Sequence, residues 1–181
     1  MKGWISAALA LLAVVGGLRG TTLAPFSFDD QVRDAAEIFR GRVVDVTAER
    51  RRAEGRSRIF TTVTFEVLET FKGAPSSPRQ LDFLGGRVGD EAMIVEGMPR
   101  FEKGQELVLF VSGDRDLVCP VLGWSEGKLP VERGEVILPV RVQAAATATR
   151  AAKAIRSDER MSLGDFQRML KGRMSQLGVS Q

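Results

Sequence analysis

The sequence predicts a mainly β protein: one small antiparallel domain, preceded by a short helix and followed by an amphipathic one. Two observations lead there. Short apolar runs bounded by Gly, Pro, Asp or Ser recur between Ile38 and Val142. Helical periodicity, by contrast, is confined to the two ends of that region. A chain of 181 residues, 44% hydrophobic and 27% charged, also has the size and composition of one soluble domain with a real core.

The N-terminus reads as a targeting segment. Lys2 gives a short positive start, and Trp4 to Leu18 is an apolar run broken only by Ser6, of the length a signal-peptide core needs and short for a spanning helix. Gly16, Gly17, Gly20 and Ala24 offer small residues for cleavage, although Arg19 and Pro25 interrupt the neatest sites. Residues 1–24 are therefore expected to be a signal peptide, and the protein to be exported, periplasmic or extracellular. Retention of the run as an N-terminal anchor is the alternative that the blurred cleavage signal leaves open. No Cys lies nearby to accept a lipid.

From residue 25 to 142 the elements follow one another closely. Ser27 ahead of Phe28 to Ala36, with Asp29 and Asp30 in the first turn, predicts a short capped helix. Ile38 to Val46 predicts a strand with a bulge or bend at Gly41. Arg58 to Phe71 alternates, with Val63, Phe65 and Val67 on one face and Thr62, Thr64 and Glu66 on the other. The polar stretch Ala48 to Ser57, containing Gly55, is then a long hairpin loop. Further strands are predicted at Gln80 to Leu84, Glu106 to Ser112, Leu117 to Leu122, Lys128 to Glu132 and Glu135 to Val142. Six turn formers between Gly85 and Gly104 (Gly85, Gly86, Gly89, Gly97, Pro99 and Gly104) predict a long irregular crossing, with a short helix near Ala92 to Val95. Residues 143–161 read as a linker. Ser162 with Asp165 forms a capping box, and Leu163, Phe166, Leu170 and Leu177 recur at helical spacing, so residues 162–181 form a C-terminal helix.

The run Ile38-Phe39-Arg40-Gly41-Arg42-Val43-Val44-Asp45-Val46, the strand Val63 to Phe71 with Lys72-Gly73, the Gly85-Gly86 pair, and Gly97-Met98-Pro99-Arg100-Phe101 through Phe110 together resemble exported bacterial domains of the netrin and TIMP-like oligonucleotide/oligosaccharide-binding barrel type. The resemblance spans about Ile38 to Glu132. It implies a five-stranded Greek-key (OB-like) barrel, a fold that hosts unrelated functions. TIMP-like inhibitors chelate a protease zinc with an N-terminal cysteine and carry several disulfides; this chain has one cysteine in all, Cys119.

Composition excludes several chemistries. With no His and a single Cys, zinc sites and Cys–His catalysis are out of reach, and no acidic spacing matches a calcium loop. Cys119, in the apolar run Leu117-Val118-Cys119-Pro120-Val121, reads as a buried inert thiol, with cross-linking of two copies the alternative. Ser125 and Lys128 have the Ser-x-x-Lys spacing of acyl-serine enzymes, but Gly127 and Pro130 argue for a turn entering a strand. Gly85-Gly86-Arg87-Val88-Gly89 lacks the ending of a phosphate-binding loop. Nothing in the sequence brings a carboxylate pair, Asp29 with Asp30 or Glu132 with Glu135, across a cleft.

What remains is charge. The net charge is only +3, yet Arg50, Arg51, Arg52, Arg56 and Arg58 gather around the first hairpin, offset locally by Glu49 and Glu54. A solvated, mobile tip is one reading; an anion-binding tip is the other, since guanidinium matches phosphate and carboxylate bidentately. In barrels of the resembled type the loop joining the first two strands often flanks the ligand face. The expectation is an exported, non-enzymatic binding module that takes no cofactor, with a protein or envelope component as partner, possible peripheral contact with an anionic surface, and no nucleic acid. Ligand and oligomeric state stay open. Inhibition of, or assistance to, a secreted metalloprotease is the alternative that the family resemblance alone suggests.

Overall fold

A computed structural model describes residues 27–53, 55–113, 118–139 and 158–180. The expected signal segment and most of the expected linker lie outside these residues. Helix α1, Phe28–Asp34, is capped at Ser27 as the sequence predicts, and the cap is a full capping box: Ser27 Oγ accepts from Asp30 N–H at 3.1 Å, and the Asp30 carboxylate accepts from Ser27 N–H at 3.2 Å.

Among the described residues nine strands follow: β1 Ala35–Ala53, β2 Arg56–Lys72, β3 Arg79–Leu84, β4 Gly86–Val88, β5 Glu91–Met93, β6 Glu106–Ser112, β7 Lys128–Glu132, β8 Glu135–Pro139 and β9 Asp158–Ser162, before helix α2, Leu163–Leu177. Seven of them form one sheet in the order β3-β2-β1-β6-β7-β8-β9, with every pairing antiparallel. The mainly β, antiparallel domain with a helix at each end is thus as the sequence predicts. So is the irregularity at Gly41, where the β1–β2 register shifts between Arg40 and Gly41.

Closure into a barrel is a different matter. The sheet is open among the described residues, its edge strands β3 and β9 lying at opposite ends of the order. The strand expected over Leu117 to Leu122 is reduced to one bridge, Val111 to Val121. Pro120 has no N–H to donate to a ladder. Its carbonyl accepts from Ser112 N–H at 2.9 Å, and Val118 O accepts from Leu84 N–H of β3 at 2.9 Å. With Leu122 N–H donating to Phe110 O at 2.9 Å, this segment joins β6 by two main-chain bonds and the end of β3 by one, where a barrel would have a full strand.

The sheet buries both faces, and β6 shows why its sequence is continuously apolar. Leu107, Leu109 and Val111 enter one core with Phe39, Val43, Val63, Phe65, Leu81 and Phe83. Val108 and Phe110 enter a second with Val32, Ile38, Phe71 and Val136. A strand covered on both sides reads as an unbroken hydrophobic run, because alternation marks only strands with one wet face. Helix α2 closes the second core with Phe166, Leu170 and Met174. Its N-cap Ser162 accepts from Asp165 N–H at 3.2 Å, and Arg173 reaches Asp29 of α1 at 3.6 Å.

Two further expectations are corrected. The short helix expected near Ala92 to Val95 is absent; Gly86 to Met93 forms the β4–β5 hairpin instead. Gly86 (φ +137°) lies against Thr61 Oγ1 and the Ala48 side chain, so only a residue without Cβ lets this hairpin sit on the β1–β2 ribbon. Asp158 to Met161, assigned by sequence to the linker, belong to β9, which pairs with β8. No helix among the described residues is long and apolar enough to cross a membrane.

Candidate functional site

The five arginines do not sit on a loop. Strands β1 and β2 continue to Ala53 and from Arg56, leaving only residues 54 and 55 between them. The expected loop from Ala48 to Ser57 is therefore the end of a regular two-stranded ribbon, with Arg50 opposite Ile59, Arg51 opposite Arg58 and Arg52 opposite Ser57. Side chains alternate across a ribbon, so Arg51, Arg56 and Arg58 share one face while Arg50 and Arg52 share the other. A patch that is continuous in sequence is thus divided in space.

The two faces have different chemistry. Arg51 is locked in place. Its Nη1 and Nη2 donate to the two carboxylate oxygens of Asp82, at 2.5 and 3.2 Å, its Nη2 also donates to Thr62 Oγ1 at 2.6 Å, and its Nε donates to Glu49. The guanidinium also lies over the ring of Phe60, 5.5 Å from its centroid, which covers an aromatic that faces the polar side of the sheet. The hydrogen bond from Arg51 holds Asp82 below the usual carboxylate range despite partial burial. Hydrogen bonds to Asp82 and then Glu49 push Arg51 still further into its charged form. Arg51 is thus a strut between the ribbon and β3.

On the other face Arg50 pairs with Glu91 of the β4–β5 hairpin. Arg52 and Arg56 are exposed and form no ion pair among the described residues. They stand at the very end of the ribbon, one on each strand and one on each face. Arg58 is half-buried and has an interaction of its own. Of the five arginines expected to form one site, the structure leaves Arg52 and Arg56 as the open pair and makes Arg50 and Arg51 partners of carboxylates. Sequence gives no signal for that sorting, because Asp82 and Glu91 are 31 and 41 residues from the arginines they engage.

The other candidates have structural partners. Cys119 is buried at 3% exposure, and its thiol lies 3.7 Å from Val121 O. Ser125 Oγ donates to Gly97 O at 2.9 Å, whereas the Lys128 ammonium donates to Arg100 O and lies 4.9 Å from the centroid of Phe101. They hold the crossing segment at two separate points. Ser125 lies in a 3-10 turn, Trp124–Gly127, that enters β7, as the sequence predicts. Asp30 serves as a capping residue, and Glu132 and Glu135 flank Arg160 at 3.3 and 3.8 Å. Among the described residues no group of three or more Asp, Glu or Cys side chains is placed to hold a metal ion.

Comparison with protein-family models, curated proteins and solved structures gives no match for this chain.

Proposed function

We propose that the protein is an exported binding module of the bacterial envelope that engages acidic groups of its partner through the tip of the β1–β2 ribbon. The observation that carries this reading is the exposure of Arg52 and Arg56, free of ion pairs among the described residues, on a ribbon braced by the Arg51–Asp82 contact. Two guanidinium groups on a rigid mount lose less conformational entropy on binding than two on a mobile loop. They present bidentate donors that suit phosphate or carboxylate. The netrin and TIMP-like resemblance is in keeping with this reading, since in barrels of that type the connection between the first two strands often flanks the ligand face. The function requires neither cofactor nor metal.

The test is retention from an envelope fraction. Immobilised protein should hold a dominant partner that elutes as salt is raised, because exposed charges are screened over about 8 Å at physiological ionic strength. The Arg52→Ser, Arg56→Ser double variant should lose most of that retention. Retention insensitive to both salt and the double substitution would assign binding to another surface. A secreted protease as the dominant partner would favour an inhibitory role.

A further inference from the structure

Among the described residues, the outer edge of β1 is paired at one end and left unpaired at the other. Pairing of β1 with β6 ends at Arg42 and Glu106. Two more main-chain bonds follow, from Val43 N–H to Gln105 O at 2.9 Å and from Gly104 N–H to Val43 O at 2.8 Å. The chain then turns away at Gly104. Among the described residues nothing pairs with the same edge between Asp45 and Ala53, while the inner ladder to β2 runs in unbroken register from Asp45–Thr64 to Ala53–Arg56.

Ladder geometry fixes which groups face outward. Ile59 O accepts from Gly85 N–H at 2.8 Å, on the side of β2 away from β1, so Ile59 turns its main chain out of the shared ladder. Its partner Arg50 then does the same on the opposite edge, and in steps of two so do Val46, Ala48 and Arg52. Val43, whose main chain faces Gln105 and Gly104, sits on this same outward side. The edge thus offers four consecutive donor–acceptor sites.

We propose that this edge accepts an extended acidic segment of a partner polypeptide as an added β-strand. The inference rests on the anion-binding reading of the ribbon and names the class of partner. Arg50 and Arg52 belong to the outward-facing set, so an added strand would place its own side chains about 5 Å from theirs, within cross-strand reach. Arg50 already donates to one carboxylate, that of Glu91. Val46, 38% exposed, lies on the same face two positions before Ala48 and offers an apolar contact. The matching segment carries an apolar residue opposite Val46 and Asp or Glu opposite Arg50 and Arg52. A second copy of this chain fits less well, because an antiparallel copy using all four sites sets Arg50 opposite Ala48 and Arg52 opposite Val46, so neither edge brings an acidic residue to the other's arginines. The same unmatched charges select the acidic strand.

The test uses purified protein and three probes: a peptide of alternating Thr with one Val and two Glu in the matching register, the same peptide N-methylated at the residues facing β1, and inorganic polyphosphate. The peptide should slow amide exchange at Val46, Ala48, Arg50 and Arg52, and N-methylation should weaken its binding at least tenfold. Ala48→Pro, which removes an outward N–H that the β2 ladder does not use, should weaken it as well. Equal binding of the methylated and unmethylated peptides would overturn strand addition and leave the arginine reading standing. So would salt-sensitive binding of polyphosphate at Arg52 and Arg56 with no binding of either peptide. If polyphosphate and both peptides all fail to bind, the anion-binding reading falls with the proposal.

Discussion

At the scale of single residues, burial decides what the conspicuous side chains do. Cys119, packed with Val111 and Val121 in the core between β1, β2, β3 and β6, is a small apolar residue that happens to carry a thiol. It should react slowly with a thiol reagent in the native protein and quickly in urea. Cys119→Ala should cost about 1–2 kcal/mol by denaturant titration, the lower part of the range for a small buried deletion; fast labelling of native protein would contradict the burial. Asp82 behaves differently because its charge is used. Its folded pKa lies below the ordinary 3.8, first through the hydrogen bond from Arg51. Its contribution to stability is therefore complete above 3.8 and is lost as pH falls through the depressed value. Both partners are partly exposed, so the contribution is modest, on the order of 1 kcal/mol or less. Asp82→Asn should lower Tm slightly near neutral pH, and the difference from the unsubstituted protein should vanish in acid. A difference that stays constant from neutral pH into strong acid would remove Asp82 ionisation from the brace.

At the scale of elements, the C-terminal helix is integral to the sheet. Phe166 touches Phe28 and Phe71 edge to face, at centroid distances of 6.5 and 6.0 Å, and joins α1, β2 and α2 in one cluster. Phe166→Ala should cost about 3–5 kcal/mol, the range for large aromatic truncations in a core, read as a lower denaturation midpoint with an unchanged slope. Loss of less than about 1 kcal/mol would mean that α2 is only loosely docked. The helix itself is legible in the sequence because its signals are local: a cap at Ser162 and apolar residues at helical spacing. Its docking partner is not, since Phe28, Phe71 and Phe166 meet only through tertiary folding. Met174, buried with Phe166 and Leu170, continues the same stripe and could have been read from the spacing. The first hairpin is present as the sequence predicts, but the reach of its two strands is hidden for a related reason. Polarity from Ala48 to Ser57 reads as a loop, yet Arg51 is held in a strand by Asp82 and Thr62 of neighbouring strands, and paired context overrides weak local preference. The β4–β5 hairpin is hidden in the same way among glycines that read as irregular.

At the scale of the whole molecule, the described residues form an antiparallel sheet, open among them, that separates two hydrophobic cores. Helices α1 and α2 cover one face, and Met98 and Phe101 of the crossing segment, with Trp124 of the 3-10 turn before β7, cover the other. The β1–β2 ribbon extends past the point where β6 leaves β1, so it carries its arginines beyond the doubly covered part of the sheet. That arrangement makes the end of the ribbon a cationic projection, braced by the Arg51–Asp82 contact, on a protein whose overall charge is only +3. Export enters as an expectation from Lys2 and the apolar run to Leu18, and N-terminal sequencing of the protein from producing cells should find a start between Gly17 and Pro25; a retained Met1 in the cytoplasm would contradict it. The central claim, that the tip receives anions through its open arginines, is tested most directly by following the side-chain Nε–H resonances of the arginines during titration with inorganic polyphosphate. Arg52 and Arg56 should shift first and saturate, Arg51 should stay fixed in its contact with Asp82, and raising the salt should reverse the change. Uniform, non-saturating shifts across all surface arginines, or no shift at Arg52 and Arg56, would contradict it.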